Sequence, residues 1–181
     1  DKKKIEIKLR ELGFYFAKVD TYKEDLNNNR VDITFKIELG QKARIKKISF
    51  LGDKIFKDRK LKGVIISEEY KFWKFLSGKK FLNEEIISFD QRLLKNFYLN
   101  RGYYNVKINT SFAKIIGNEE FELIYNIDPG KKFFFNKLTL DLPTDFNSEN
   151  FKDLNDLLTN LKGERYSINS VEKILDKIDL I

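Results

Sequence analysis

Apolar and polar residues alternate at Val31, Ile33, Phe35 and Ile37, up to Gly40, and again at Phe121, Leu123, Tyr125 and Ile127, up to Gly130. A period of two predicts a strand in each place. Ahead of the second run, Ile86, Phe89, Leu93 and Phe97 recur at helical spacing. That spacing predicts a helix with Asn83 as its N-cap, Glu84 and Glu85 complementing the dipole in its first turn, and Gly102 just past its end. Residues 43–51 predict another strand, in which Ile48 and Phe50 share a face. Ile45 is out of phase with them, so the Lys46-Lys47 pair is expected to mark a bulge. Phe56, Leu61, Val64 and Ile65 predict a short amphipathic helix, and 67–82 a loop. Tyr104, Val106, Ile108 and Phe112 predict a strand joined to the 121–127 strand by a Gly117-Asn118 turn.

The order is repeated. Gly13-Phe14-Tyr15-Phe16-Ala17-Lys18-Val19 is echoed by Gly102-Tyr103-Tyr104-Asn105-Val106-Lys107-Ile108, 89 positions on (13 to 102). Lys42, Lys47, Ile48 and Phe50 are echoed by Lys132, Lys137, Leu138 and Leu140. Gly78-Lys79-Lys80-Phe81 is echoed by Gly163-Glu164-Arg165-Tyr166 at a spacing of 85, which aligns Ile86, Phe89 and Leu93 with Val171, Ile174 and Ile178. Such self-similarity predicts tandem α+β units, each β-α-α-β-β with a three-stranded sheet packed under two helices. The expected division is 1–40 as the C-terminal part of one unit, 41–129 as a complete unit and 130–181 as the N-terminal part of the next.

Composition removes most chemistry. The 181 residues include no Cys, no His and no Met. Thiolate metal sites, thiol nucleophiles and the usual general base are therefore excluded. Asp20, Asp25 and Asp32 lack the spacing of a calcium loop, and the glycines form no phosphate-binding loop. No catalytic, cofactor or metal residue is assigned, which leaves little room for a hydrolase or transferase. A chain opening on Asp1 without Met is expected to be processed or excised from a longer one. Thirty-five Lys and Arg against 28 Asp and Glu give a net charge of +7. Nucleic-acid binding would need aromatics stacked on a solvent face. Here the sheet aromatics share the phase of the aliphatics, as a core does, so the charge reads mainly as solvated surface and no nucleic acid is expected.

A β-α-α-β-β unit of this length, in tandem, with Gly102-Tyr103-Tyr104-Asn105-Val106 entering its second strand, resembles the polypeptide-transport-associated (POTRA) domain. Lys46-Lys47-Ile48-Ser49-Phe50-Leu51-Gly52-Asp53-Lys54-Ile55-Phe56 resembles the family's opening strand and its Gly-Asn-x-x-Phe turn, with Asp53 where Asn is usual. Phe72-Trp73-Lys74-Phe75-Leu76-Ser77 and the run from Leu94 to Val106 are similar to the POTRA units of outer-membrane protein assembly factors. The resemblance covers essentially the whole chain, read as the end of a second unit, a third and the start of a fourth.

It implies a non-catalytic periplasmic scaffold at the bacterial outer membrane. Unfolded outer-membrane proteins and accessory lipoproteins would be its partners, and a membrane β-barrel of the same chain its anchor. Two-partner secretion transporters and organelle import pores carry the same units with different cargo. In the family the second strand is commonly an open edge, so Tyr104, Asn105, Val106, Lys107, Ile108 and Asn109 are the candidate edge strand for a client. Tyr70, Phe72, Trp73 and Phe75 form a candidate exposed aromatic patch for a membrane, lipoprotein or client, although capping of the helix pair accounts for them more simply. Gly13 and Gly102 are expected as structural turns with positive φ.

Overall fold

The computed structural model describes residues 1–71, 78–114, 120–143 and 147–180. Its elements are α1 (Lys2–Glu11), β1 (Lys18–Leu26), β2 (Arg30–Glu38), β3 (Arg44–Gly52), α2 (Asp58–Lys62), α3 (Glu84–Leu99), β4 (Lys107–Lys114), β5 (Glu120–Asp128), α4 (Lys152–Asn160) and α5 (Ile168–Asp179).

Two sheets result. β1 and β2 form an antiparallel pair, with Val19 opposite Ile37 and Thr21 opposite Phe35. The second sheet has the order β3-β5-β4, with β3 parallel and β4 antiparallel to the central β5. A parallel neighbour needs the chain carried back before it starts, and α2, α3 and then the antiparallel β4 lie between β3 and β5 to do so. Phe121, Leu123, Tyr125 and Ile127 of β5 are buried by the helices. The register of β3 on β5 slips between Ile45 and Lys47, so the expected bulge is present. Its effect is to bring Ile45 onto the buried face with Ile48 and Phe50. On the other face Lys47 pairs with Glu122 at 2.8 Å, and Ser49 also bonds Glu122.

α3 begins as its sequence dictates: the Asn83 side chain accepts the N–H of Ile86 at 3.0 Å. Its buried face differs from the expected one. Ile87, Asp90, Leu94 and Tyr98 face the core, whereas Phe89 is 39% exposed. A polar residue displaced the pattern. Asp90 is fully buried and accepts hydrogen bonds from Ile66 N (2.6 Å), Ser67 N (3.2 Å) and the Tyr125 hydroxyl (2.7 Å). Its carboxylate thereby ties helix, central strand and the 66–67 segment together, with both oxygens satisfied.

The repeats meet through repeated bonds. Ala43 N donates to Gly13 O at 3.0 Å, and Leu82 N to Ala43 O at 2.9 Å. At the second junction Phe133 N donates to Gly102 O at 2.8 Å, and Tyr166 N to Phe133 O at 2.9 Å. Gly13 and Gly102 adopt φ of +92° and +95° to present those carbonyls. Leu82 and Tyr166 are thus counterparts at a spacing of 84, not 85, as are the N-caps Asn83 and Ser167. The corrected spacing sets Ile87, Asp90 and Leu94 against Val171, Ile174 and Ile178.

Residues 137–140, expected to repeat β3, form no strand. In the 44–128 sheet the first strand pairs only with the last, and no such strand lies among the described residues after 130.

Candidate functional site

A three-stranded sheet has two edges, each offering unpaired backbone groups. Here one is closed. Along the outer side of β3, Ala43 O accepts Leu82 N (2.9 Å) and Ile45 O accepts Tyr70 N (2.6 Å). Beyond the bulge, Ile48 N donates to Glu69 Oε1 (3.0 Å) and Phe50 O accepts Lys54 Nζ (2.7 Å). Burial would raise the Glu69 carboxyl, but its bonds to Lys62 and Ile48 outweigh this and hold it below its ordinary value. Segments 68–71 and 79–82 therefore cover this edge.

β4 is the other edge, paired among the described residues with β5 alone. Backbone groups alternate in direction along a strand. With Ala43, Ile45, Ile48 and Phe50 facing outward on β3, the groups of Leu123 and Tyr125 face β3 and those of Ile124 and Asn126 face β4. Their partners Ser111 and Asn109 complete the ladder, so Ile108, Thr110 and Phe112 present N–H and C=O outward. Among the described residues, one side chain from outside β4 bonds to this row. Gln91 Nε2 donates to Thr110 Oγ1 at 3.2 Å and reaches Ile108 O at 3.4 Å, the second a long contact with little strength.

Between α3 and β4 runs a groove of about 500 Å³. Ser88, Gln91, Arg92 and Lys95 form one wall and Val106–Asn109 the other. Toward α1 it continues past Thr110 to Tyr15, whose hydroxyl donates to Glu84 at 3.0 Å. Burial, then this bond to Glu84, raises the Tyr15 phenol well above its ordinary range.

The expected site residues divide. Lys107, Ile108 and Asn109 lie in β4, but Tyr104, Asn105 and Val106 precede it in a turn. Tyr104 instead meets Tyr166 (5.1 Å between centroids) and Phe133 (6.1 Å) at the second junction. That junction, fixed by Gly102, is why the strand starts late. Tyr70 is half-buried, with Arg44 and Lys80 over its ring at 4.8 and 5.3 Å. Phe72, Trp73 and Phe75 lie outside the described residues. Glu84 and Glu85 sit in the first turn of α3, and Glu84 also receives Tyr15. Gln91, Arg92 and Lys95 were not anticipated. Their spacing along one helix flank was the available signal, but only the pairing of that flank with β4 makes it a wall. Among the described residues no group of three or more Asp or Glu could hold a metal, and no helix is long and apolar enough to cross a membrane.

A family model described as POTRA, surface antigen variable number repeat, matches residues 1–40 and 43–130. The outer membrane protein assembly factor BamA of Neisseria meningitidis serogroup B is 28% identical over 154 residues, covering 84% of this chain and 19% of the relative. BamA of Buchnera aphidicola is 27% identical over 156 residues, covering 83% of this chain and 24% of the relative. The chain thus spans about a fifth of these relatives' length. The crystal structure of Haemophilus influenzae BamA POTRA3-5 superposes with a TM-score of 0.59 at 15% identity, covering 99% of this chain and 67% of that one. At that identity the likeness shows the fold alone.

Proposed function

The chain belongs to the POTRA family, and from this we propose that it is a periplasmic, non-catalytic scaffold of a BamA-type outer-membrane assembly factor. On this reading residues 1–40, 41–129 and 130–181 are the end, the whole and the start of successive units. The longer protein carries a membrane β-barrel after them, which places this region on the periplasmic face of the outer membrane. Unfolded outer-membrane proteins are received on β4 by strand addition, while accessory lipoproteins dock on the units.

One observation carries the proposal: β3 is closed along its outer side, whereas Ile108, Thr110 and Phe112 of β4 face outward with, among the described residues, Gln91 alone bonded to them. Strand addition draws its affinity from main-chain hydrogen bonds, which are indifferent to client sequence. A receptor for many different β-barrel proteins requires that property. It requires no nucleophile, metal or cofactor.

Titrating the 181-residue chain with an extended peptide from an outer-membrane β-strand tests this. The amides of Ile108, Thr110 and Phe112 should shift, and the same peptide N-methylated along its pairing edge should no longer bind. Shifts confined to α2 and α3, or undiminished binding of the N-methylated peptide, would sink strand addition.

A further inference from the structure

The open edge carries a charge selectivity. Arg92 and Lys95 stand on the α3 wall of the groove and Lys107 on the β4 wall, at the end where β4 begins. None of the three has an ion-pair partner among the described residues. Arg92 rests over the Phe89 ring at 5.3 Å and borders the acidic end of the groove, so Lys95 and Lys107 are the cations farthest from any lining carboxylate. No carboxylate lines this part of the groove. Of the acidic residues of α3, Asp90 is buried under Ile66, Ser67 and Tyr125, while Glu84 and Glu85 stand at the opposite end of the groove, where with Glu11 they line a pocket that Arg92 also borders, and Glu84 is engaged by Tyr15.

Two unmatched cations, Lys95 and Lys107, beside a row of outward N–H and C=O groups form a site with two kinds of recognition. The backbone row fixes an extended strand without regard to sequence. The cations act only on that strand's side chains. A basic groove raises the local concentration of anionic ligands and penalises cationic ones. Resting on the proposal that β4 accepts an added strand, we infer that the groove takes extended segments bearing carboxylates, seated where they pass Lys95 and Lys107. Such segments are preferred over neutral ones of equal strand propensity, and Lys-bearing ones are disfavoured. Charge of this kind biases which stretch of a long unfolded client settles on the edge, while the backbone bonds hold whatever settles.

The test uses the 181-residue chain and three ten-residue peptides of alternating Thr and Val, blocked at both termini, with two central positions set to Glu, Gln or Lys. Amide shifts of Ile108, Thr110 and Phe112 report edge occupancy, and peptide concentration at half-saturation reports affinity. The Glu peptide should bind about fivefold tighter than the Gln peptide at low salt, and the Lys peptide more weakly still, as expected for exposed charge pairs. The preference should fade as salt screens the groove. In the K95E/K107E double variant the order of the Glu and Lys peptides should reverse. Salt dependence in the unsubstituted chain reads the same term if that variant fails to fold. Equal affinities for all three peptides, with β4 shifts intact, would overturn charge selection and leave strand addition standing. Absence of β4 shifts with every peptide would overturn both.

Discussion

The carbonyl oxygen of Gly102 accepts the N–H of Phe133 at 2.8 Å, and Gly13 holds Ala43 in the same way at 3.0 Å. Each glycine sits two or three residues past a helix, with φ that other residues rarely adopt, and hands its carbonyl to the segment that opens the next repeat. Successive units are thereby joined backbone to backbone, not through a free linker.

The two glycines differ in the room beside them. A Cβ at Gly102 would lie 2.8 Å from Lys132 Cγ and 3.1 Å from Phe133 O, while at Gly13 the nearest atom is 3.5 Å away. Gly102→Ala should cost about 2 kcal/mol, combining φ strain with displacement of the junction, and Gly13→Ala about 1 kcal/mol from strain alone. Urea unfolding monitored by circular dichroism checks both, and equal losses would contradict the role given to Lys132 and Phe133.

Asp90 is a buried charge held by three donors. Asp90→Ala removes the acceptor and strands those donors, which should destabilise the chain by about 3 kcal/mol. Tyr125→Phe removes one bond and should cost about 1 kcal/mol. A double-mutant cycle by urea unfolding should show the two effects to be non-additive. Additive losses would mean that the 2.7 Å contact contributes no coupling.

Gln91 restrains the edge it borders. An added strand must take the Ile108 carbonyl from Gln91 Nε2, at present 3.4 Å away. Gln91→Ala should therefore tighten binding of an extended peptide by about twofold to fivefold, since a weak neutral hydrogen bond no longer competes. Fluorescence anisotropy with a labelled peptide measures this. Weaker binding in the variant would mean that Gln91 contacts the client directly.

Stability should fall in strong base. Burial pushes the Tyr98 phenol up to about 12, and burial with the neighbouring Asp90 charge raises Tyr125 further. In the unfolded chain these phenols ionise near pH ~10. Between that pH and the raised folded values the unfolded state holds fewer protons, so stability declines as pH rises. Urea midpoints at pH about 8, 10 and 11 should drop across the last interval. A flat profile would show that the two phenols ionise equally in both states.

Much of the architecture was legible in the order of residues. Alternation located β2 and β5, Asn83 and Gly102 bracketed α3, and the glycine-anchored repeats implied tandem units, because period and capping are local properties of the chain. Phe89 and Asp90 mark where that reading stopped. A helix apolar on two adjoining flanks does not declare which flank is buried, and only the hydrogen bonds from Ile66, Ser67 and Tyr125 turned Asp90 inward. Likewise, the resemblance to the family implied an open edge in the second strand, from Tyr104 on, but not its start at Lys107 or what borders it. That β3 is closed by Tyr70, Leu82, Glu69 and Lys54, and that Gln91, Arg92 and Lys95 wall the groove beside Lys107, depends on contacts between residues far apart in the chain. Local sequence determines which elements form. The sheet order and the bulge in β3 decide which backbone groups remain unpaired, and those groups make the site.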